Sequence, residues 1–204
     1  HHVDAMAKRL VGFHRAANVA PGDSSFGSAA VHERGTRRLM SAIDAWPAGL
    51  KSAADWPTLR GWLERQLHEL APSWEARRRG GRVRECHGDL HLANVVQLAD
   101  EVTAFDAMEF DPELRWIDVL DDIAFLAMDL LAHERHGLAF RFLNACLEAG
   151  GDYDGLPALR FYMVSRALVR AVVSALAEGQ GAPSVQRTGS TAYLALAARL
   201  ARGA

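Results

Sequence analysis

Apolar positions recur at helical spacing along most of the chain. Val3, Met6, Leu10 and Phe13 fall three or four residues apart, which predicts an opening amphipathic helix. The Pro, Gly, Asp and Ser content of "NVAPGDSSFGS" (18–28) marks a loop, and a helix follows around "RGTRRLMSAIDAW". In "DWPTLRGWLERQLHEL", Pro57 stands near a helix start and Leu59, Trp62, Leu63, Leu67 and Leu70 line one face. Pro72 interrupts that helix, and Gly80-Gly81 ends the segment. Only the middle of the chain reads as sheet. "RVREC", "NVVQL" and "VTAF" are short strands, the last two joined by a turn at Asp100-Glu101. From Ile117 onward the pattern is helical again, over about 117–134, 138–149, 157–178 and 187–202, with breaks at "EAGGDYDGLP" and "EGQGAPS". The expected fold is α+β and mostly helical, one unit over 1–204 with a small central β-hairpin.

The 204 residues suffice for a single domain with a substantial core. A net charge of −2 gives no electrostatic reason to expect nucleic acid or an anionic membrane as partner. The most apolar window, "IAFLAMDLLA", is broken by Asp129 and is far shorter than the ~20 residues of a membrane span. No apolar leader follows "HHVDAMAKRL", and two cysteines, Cys86 and Cys146, make no disulfide framework; a cytoplasmic setting is expected.

Carboxylates concentrate between residues 84 and 125. There the spacing His87-x-Asp89-x-x-x-x-Asn94, a hairpin, then Phe105-Asp106 suits phosphoryl transfer. A hydroxyl attacking phosphorus needs a carboxylate to orient it and accept its proton, the role expected of Asp89. Mg2+ bridging phosphates prefers hard oxygen ligands, and Asn94 and Asp106 supply an amide oxygen and a carboxylate on either side of the hairpin. His87 is expected to brace the loop through a backbone group or a carboxylate, and His91 to reach the transferring phosphate. Glu109 is a supporting candidate, with a solvated loop charge as its alternative, as for Asp111. Asp118, Asp121 and Asp122 open a helix, where carboxylates favour the positive end of the dipole regardless of function; for Asp121 that is the expectation. Cys86 reads as a small buried residue, not a nucleophile.

Taken together, "HGDLHLANVV…VTAFDAMEFDPELRWIDVLDDIAF" resembles the catalytic core of the aminoglycoside phosphotransferase family, a branch of the protein-kinase-like fold that also holds choline and homoserine kinases. The resemblance implies an ATP- and Mg2+-dependent transfer of a γ-phosphate to a small-molecule hydroxyl. It makes Asp89 the catalytic aspartate, Asn94 and Asp106 the metal ligands, and Asp118 or Asp122 the aspartate that supports the loop. "LRFYMVSRALVRAVVSAL" and "AFRFLNACLEAGGDYDGL" are similar to the helical tail of a bacterial subgroup in which a P-loop ATPase domain often follows. The parts implied are a catalytic loop at 86–94, a metal-binding segment at 104–111 and a helical tail at 117–202.

The resemblance covers the C-terminal lobe alone. Lys8 falls on the opening helix and Lys51 in a loop, no strand pattern precedes residue 82, and Gly179-x-Gly181 is not followed by the rest of a nucleotide motif. The nucleotide-binding lobe, or another domain of a larger parent, is therefore an expected partner, and the isolated chain is expected to be weakly active or inactive. Two other readings stand beside this one. The first is a non-catalytic kinase-like binding or regulatory module. The second is a two-metal phosphoesterase, suggested by "HGDLH" but lacking the upstream Asp-x-His and downstream Gly-Asn-His such enzymes use.

Overall fold

A computed structural model describes residues 2–99, 101–180 and 188–203. Ten helices and four short strands are assigned within them. Five helices come first: α1 (His2–Ala16), α2 (Ala29–Asp44), α3 (Ala48–Ala53), α4 (Trp56–Glu69) and α5 (Ala71–Arg79). The break between α4 and α5 falls at Leu70, two residues before Pro72, where a missing amide and the restricted preceding residue end the helix. Ser28 caps α2 by accepting from the Val31 amide.

The middle of the chain holds β1 (Val83–Glu85), β2 (Val95–Leu98), β3 (Glu101–Ala104), α6 (Pro112–Arg115) and β4 (Trp116–Asp118). β2 and β3 form the expected antiparallel hairpin, Val95 opposite Ala104 and Leu98 opposite Glu101. Asp100 of its turn lies outside the described residues. β1 does not join that hairpin. It pairs antiparallel with β4, Val83 opposite Asp118 and Glu85 opposite Trp116. The expectation of helix from Ile117 onward is corrected here, since helix begins only at Val119. Lys51 is likewise corrected: it lies on α3, and its Nζ donates to the Asp44 carbonyl.

The last third is helical: α7 (Val119–Ala132), α8 (His136–Gly150), α9 (Leu156–Gly179) and α10 (Ser190–Arg202). The "EGQGAPS" break and the start expected for the last helix at 187 fall largely on residues outside the description. α7 is buried at every position from Val119 to Leu131, as a helix apolar on all sides should be. It packs against α8 and α9, with α1 on α8 and α10 on α9. On α1 the inward face is Met6, Ala7, Leu10, Val11 and His14, whereas Phe13, expected in the apolar stripe, is exposed. No helix among the described residues is long and apolar enough to cross a membrane.

Candidate functional site

The loop after β1 is held from below by α7. Both oxygens of the buried Asp122 accept backbone amides, Oδ2 from His87 (3.1 Å) and Oδ1 from Gly88 (3.0 Å). The same Oδ2 lies 2.9 Å from Nε2 of His14, on α1. Burial opposes the charge of Asp122, but the hydrogen bond and charge of His14, with help from His87, hold its carboxyl below the usual range. Asp118 turns the other way. It caps α7 through the Leu120 amide and meets Arg77 (Nη2 to Oδ1, 2.7 Å) and the Tyr162 hydroxyl (3.0 Å). Arg77 also donates to Asp152. Of the two aspartates considered for loop support, Asp122 touches the loop and Asp118 does not.

Asp121 departs from its expected dipole role. Arg166 donates to both its oxygens (2.7 and 2.9 Å) and to the Gly88 carbonyl (3.1 Å), its guanidinium resting 4.8 Å above the Phe125 ring. Burial lifts the Asp121 carboxyl, whereas Arg166, also opposed by burial, is held above its ordinary value by the Asp121 charge. The two hydrogen bonds make one bidentate contact of the kind a guanidinium–carboxylate ion pair forms. Asp129, the charge that breaks the apolar window, is buried and accepts from the Leu92 amide (2.8 Å) and the Tyr193 hydroxyl (2.6 Å).

Within the loop, His87 accepts the Asp89 amide at Nδ1 (3.3 Å), which leaves the proton on Nε2 to donate to the Phe105 carbonyl (2.9 Å). That ring ties the loop to the end of β3, as expected of a brace. His91 accepts the Ala93 amide at Nδ1 and stands 3.4 Å from Asp89 Oδ2 through Nε2. Asn94 Nδ2 donates to the Asp89 carbonyl (2.9 Å) and to Asp89 Oδ2 (3.2 Å). The Asn94 carbonyl in turn accepts the Phe105 amide (3.0 Å), so the hairpin returns Asp106 beside Asn94.

Asp89 keeps 32% of its side chain exposed, enough for a solute to reach it. Burial raises its pKa, but the His91 hydrogen bond and the charges of His91, Arg170 and Arg166 prevail and hold it below the usual value. Asp106 is exposed at φ 60°, a left-handed conformation uncommon outside glycine, asparagine and aspartate. Glu109 is exposed, and Asp111 caps α6 through the Glu113 amide.

His14, Cys86 and Asp122 place one potential ligand atom each within 4.8 Å of one another, all buried. Both Asp122 oxygens are already engaged, and burial, then Asp122, raise the Cys86 thiol well above its ordinary value, so it stays protonated. The trio therefore acts as a packed brace. Sequence reasoning missed His14, Arg166 and the buried role of Asp129. His14 did carry a signal, since it shares the helical stripe of Leu10 and Val11.

No protein-family model matches the chain. It is 38% identical over 108 residues to uncharacterized protein Rv2004c of Mycobacterium tuberculosis. Uncharacterized protein Mb2027c of Mycobacterium bovis matches to the same extent. The match takes in 50% of this chain but 22% of either relative, so the chain spans only about a fifth of the curated relatives' length.

Proposed function

We propose that this chain is the catalytic lobe of an ATP- and Mg2+-dependent phosphotransferase that moves a γ-phosphate to a small-molecule hydroxyl, as in the aminoglycoside phosphotransferase family it resembles. The observation that carries the reading is the convergence of Asp89, Asn94 and the end of β3 at an accessible surface. Asp89, ionised and oriented by Asn94 and His91, aligns the acceptor hydroxyl and takes its proton. Asn94 spends its side-chain amide hydrogens on Asp89 and leaves its Oδ1 for a cation. With the exposed Asp106 carboxylate it forms the hard-oxygen donor set that suits Mg2+. When bound, the metal neutralises charge on the transferring phosphate. Residues 104–111 and the tail from α7 onward then serve as metal-binding segment and support, and a nucleotide-covering lobe comes from elsewhere in a longer protein.

In the longer protein, Asp89→Asn should lower the rate of Mg2+-dependent transfer from ATP to an alcohol by about 10²–10⁴-fold, the usual weight of a positioned base. A wild-type rate for that variant would remove Asp89 from the role. In the chain itself, Mn2+ should broaden the amide resonances around Asn94 and Asp106, and Asp106→Ala should abolish the effect.

One observation favours the non-catalytic module: both lysines lie on helices, so this chain contributes no strand lysine for a nucleotide. Persistent failure of Mn2+ to broaden those resonances would favour it further. The phosphoesterase reading loses ground, because His87 spends both ring nitrogens on backbone groups, of Asp89 and of Phe105.

A further inference from the structure

A cavity of about 90 Å³ opens beside α1, the start of α7 and the end of α8. None of the 86–94 loop lines it, but His14 does. Its floor is apolar, formed by Val11, Val119, Ile123 and Leu147, and Arg15 and Arg82 stand among its walls. Arg84, also in the wall, is consumed by the chain: its Nη1 donates to the carbonyls of His14, Arg15 and Ala17. Arg15 spends Nη2 on the Ala149 carbonyl. Arg82 has only a 3.8 Å approach of Nε to Asp152, a carboxylate already taken by two bonds from Arg77. Among the described residues, the remaining guanidinium nitrogens of Arg15 and Arg82 have no protein acceptor, and cationic groups outnumber the one spent acid.

An apolar floor beneath unspent guanidinium donors selects an amphipathic anion. Inorganic phosphate would leave the floor uncovered, and a neutral solute would leave the donors unused. We propose that this cavity, open to solvent on one side, binds a small organic carboxylate with a short branched apolar body. We further infer that its occupant acts on the 86–94 loop through the His14–Asp122 pair. The path is short: His14 lines the cavity and bonds Asp122, and Asp122 accepts the His87 and Gly88 amides. Any consequence for catalysis rests on the phosphotransfer reading of that loop; binding and its effect on the loop amides do not.

The test is a titration of the chain with 3-methylbutanoate, followed by calorimetry and by amide resonances. 3-Methylbutanamide serves as the uncharged isostere and inorganic phosphate as the anion without an apolar body. The carboxylate should bind at least about tenfold more tightly than either control. Amides of Val11, Gly150, His87 and Gly88 should shift along one saturation curve. Gly150→Leu should abolish binding by filling the space: a Cβ there meets only Val11, at 3.9 Å, so the helix tolerates it. Arg82→Gln should weaken binding about tenfold with the cavity intact. Absence of saturable binding, equal binding of the controls, or undiminished binding by both variants overturns the site. Saturable binding with His87 and Gly88 unmoved overturns the coupling alone. Because no nucleotide is needed, inactivity toward ATP leaves every outcome readable.

Discussion

Gly88 is fixed from both sides of its peptide plane, its amide on Asp122 and its carbonyl on Arg166, at φ +83°. A Cβ there would fall 2.5 Å from the Leu114 carbonyl oxygen and 3.0 Å from Met108 Cβ. Gly88→Ala should therefore cost the left-handed backbone penalty plus a backbone displacement, at least about 2 kcal/mol in denaturant unfolding. Gly12 provides the contrast. It sits in α1 with nothing near its missing Cβ, so Gly12→Ala should stabilise by about 0.5–1 kcal/mol. At Asp122 the expectation is larger: Asp122→Ala strands two buried amides and the His14 ring, for a loss of about 3 kcal/mol. These residues differ in how far the sequence reveals them. The contacts joining Asp89, Asn94 and His87 are legible because they depend on spacing within one loop. Asp121, Asp129 and Arg166 are not, because their partners lie on helices far along the chain and no local pattern encodes the meeting.

Elements follow the same division. α7 and α9 could be read from apolar content alone, but β4 was hidden because three residues ending in an N-cap aspartate look like the start of α7. Packing between elements also sets a titration that spacing could not show. His32 on α2 stacks 4.4 Å from Trp74 of α5 and meets the Phe161 edge on α9. Burial pushes its pKa down from 6.5 to about 4, against the pull of Asp118. The unfolded chain therefore takes up this proton near 6.5 and the folded chain not until about 4. Stability from this site is complete at neutral pH and is lost as pH falls from 6.5 toward 4, by roughly 2 kcal/mol after allowing for partial exposure. Carboxylates held low, Asp122 and Asp152 among them, act in a different window: their contribution is present above about 4 and is lost as pH falls through their depressed values. Denaturant titrations at pH 7, 5.5 and 4.5 should show the loss in wild type, and His32→Phe should flatten it. An unchanged slope in that variant would place the titrating group elsewhere.

Across the molecule, three buried carboxylates project from α7 and a fourth, Asp118, caps it, and each is answered by a different part of the chain. Arg77 of α5 meets Asp118, Arg166 of α9 meets Asp121, His14 of α1 meets Asp122, and Tyr193 of α10 meets Asp129. An ionised group left alone in such a core costs several kcal/mol, so α7 tolerates its acids only when the surrounding helices are in place. Two of the four, Asp122 and Asp129, also accept loop amides, at His87, Gly88 and Leu92. Loop order is thereby coupled to the whole fold, although the segment has the composition of a mobile loop. The amides of His87, Gly88 and Leu92 should consequently exchange with solvent only through global unfolding, with the denaturant dependence of amides in the middle of α7. Val96 and Thr103, which face each other as a hydrogen-bonded pair in the half-buried β2–β3 hairpin, should exchange by local opening with little denaturant dependence. Equal, denaturant-insensitive rates for loop and hairpin would mean that the α7 carboxylates order the helices around them without ordering the loop.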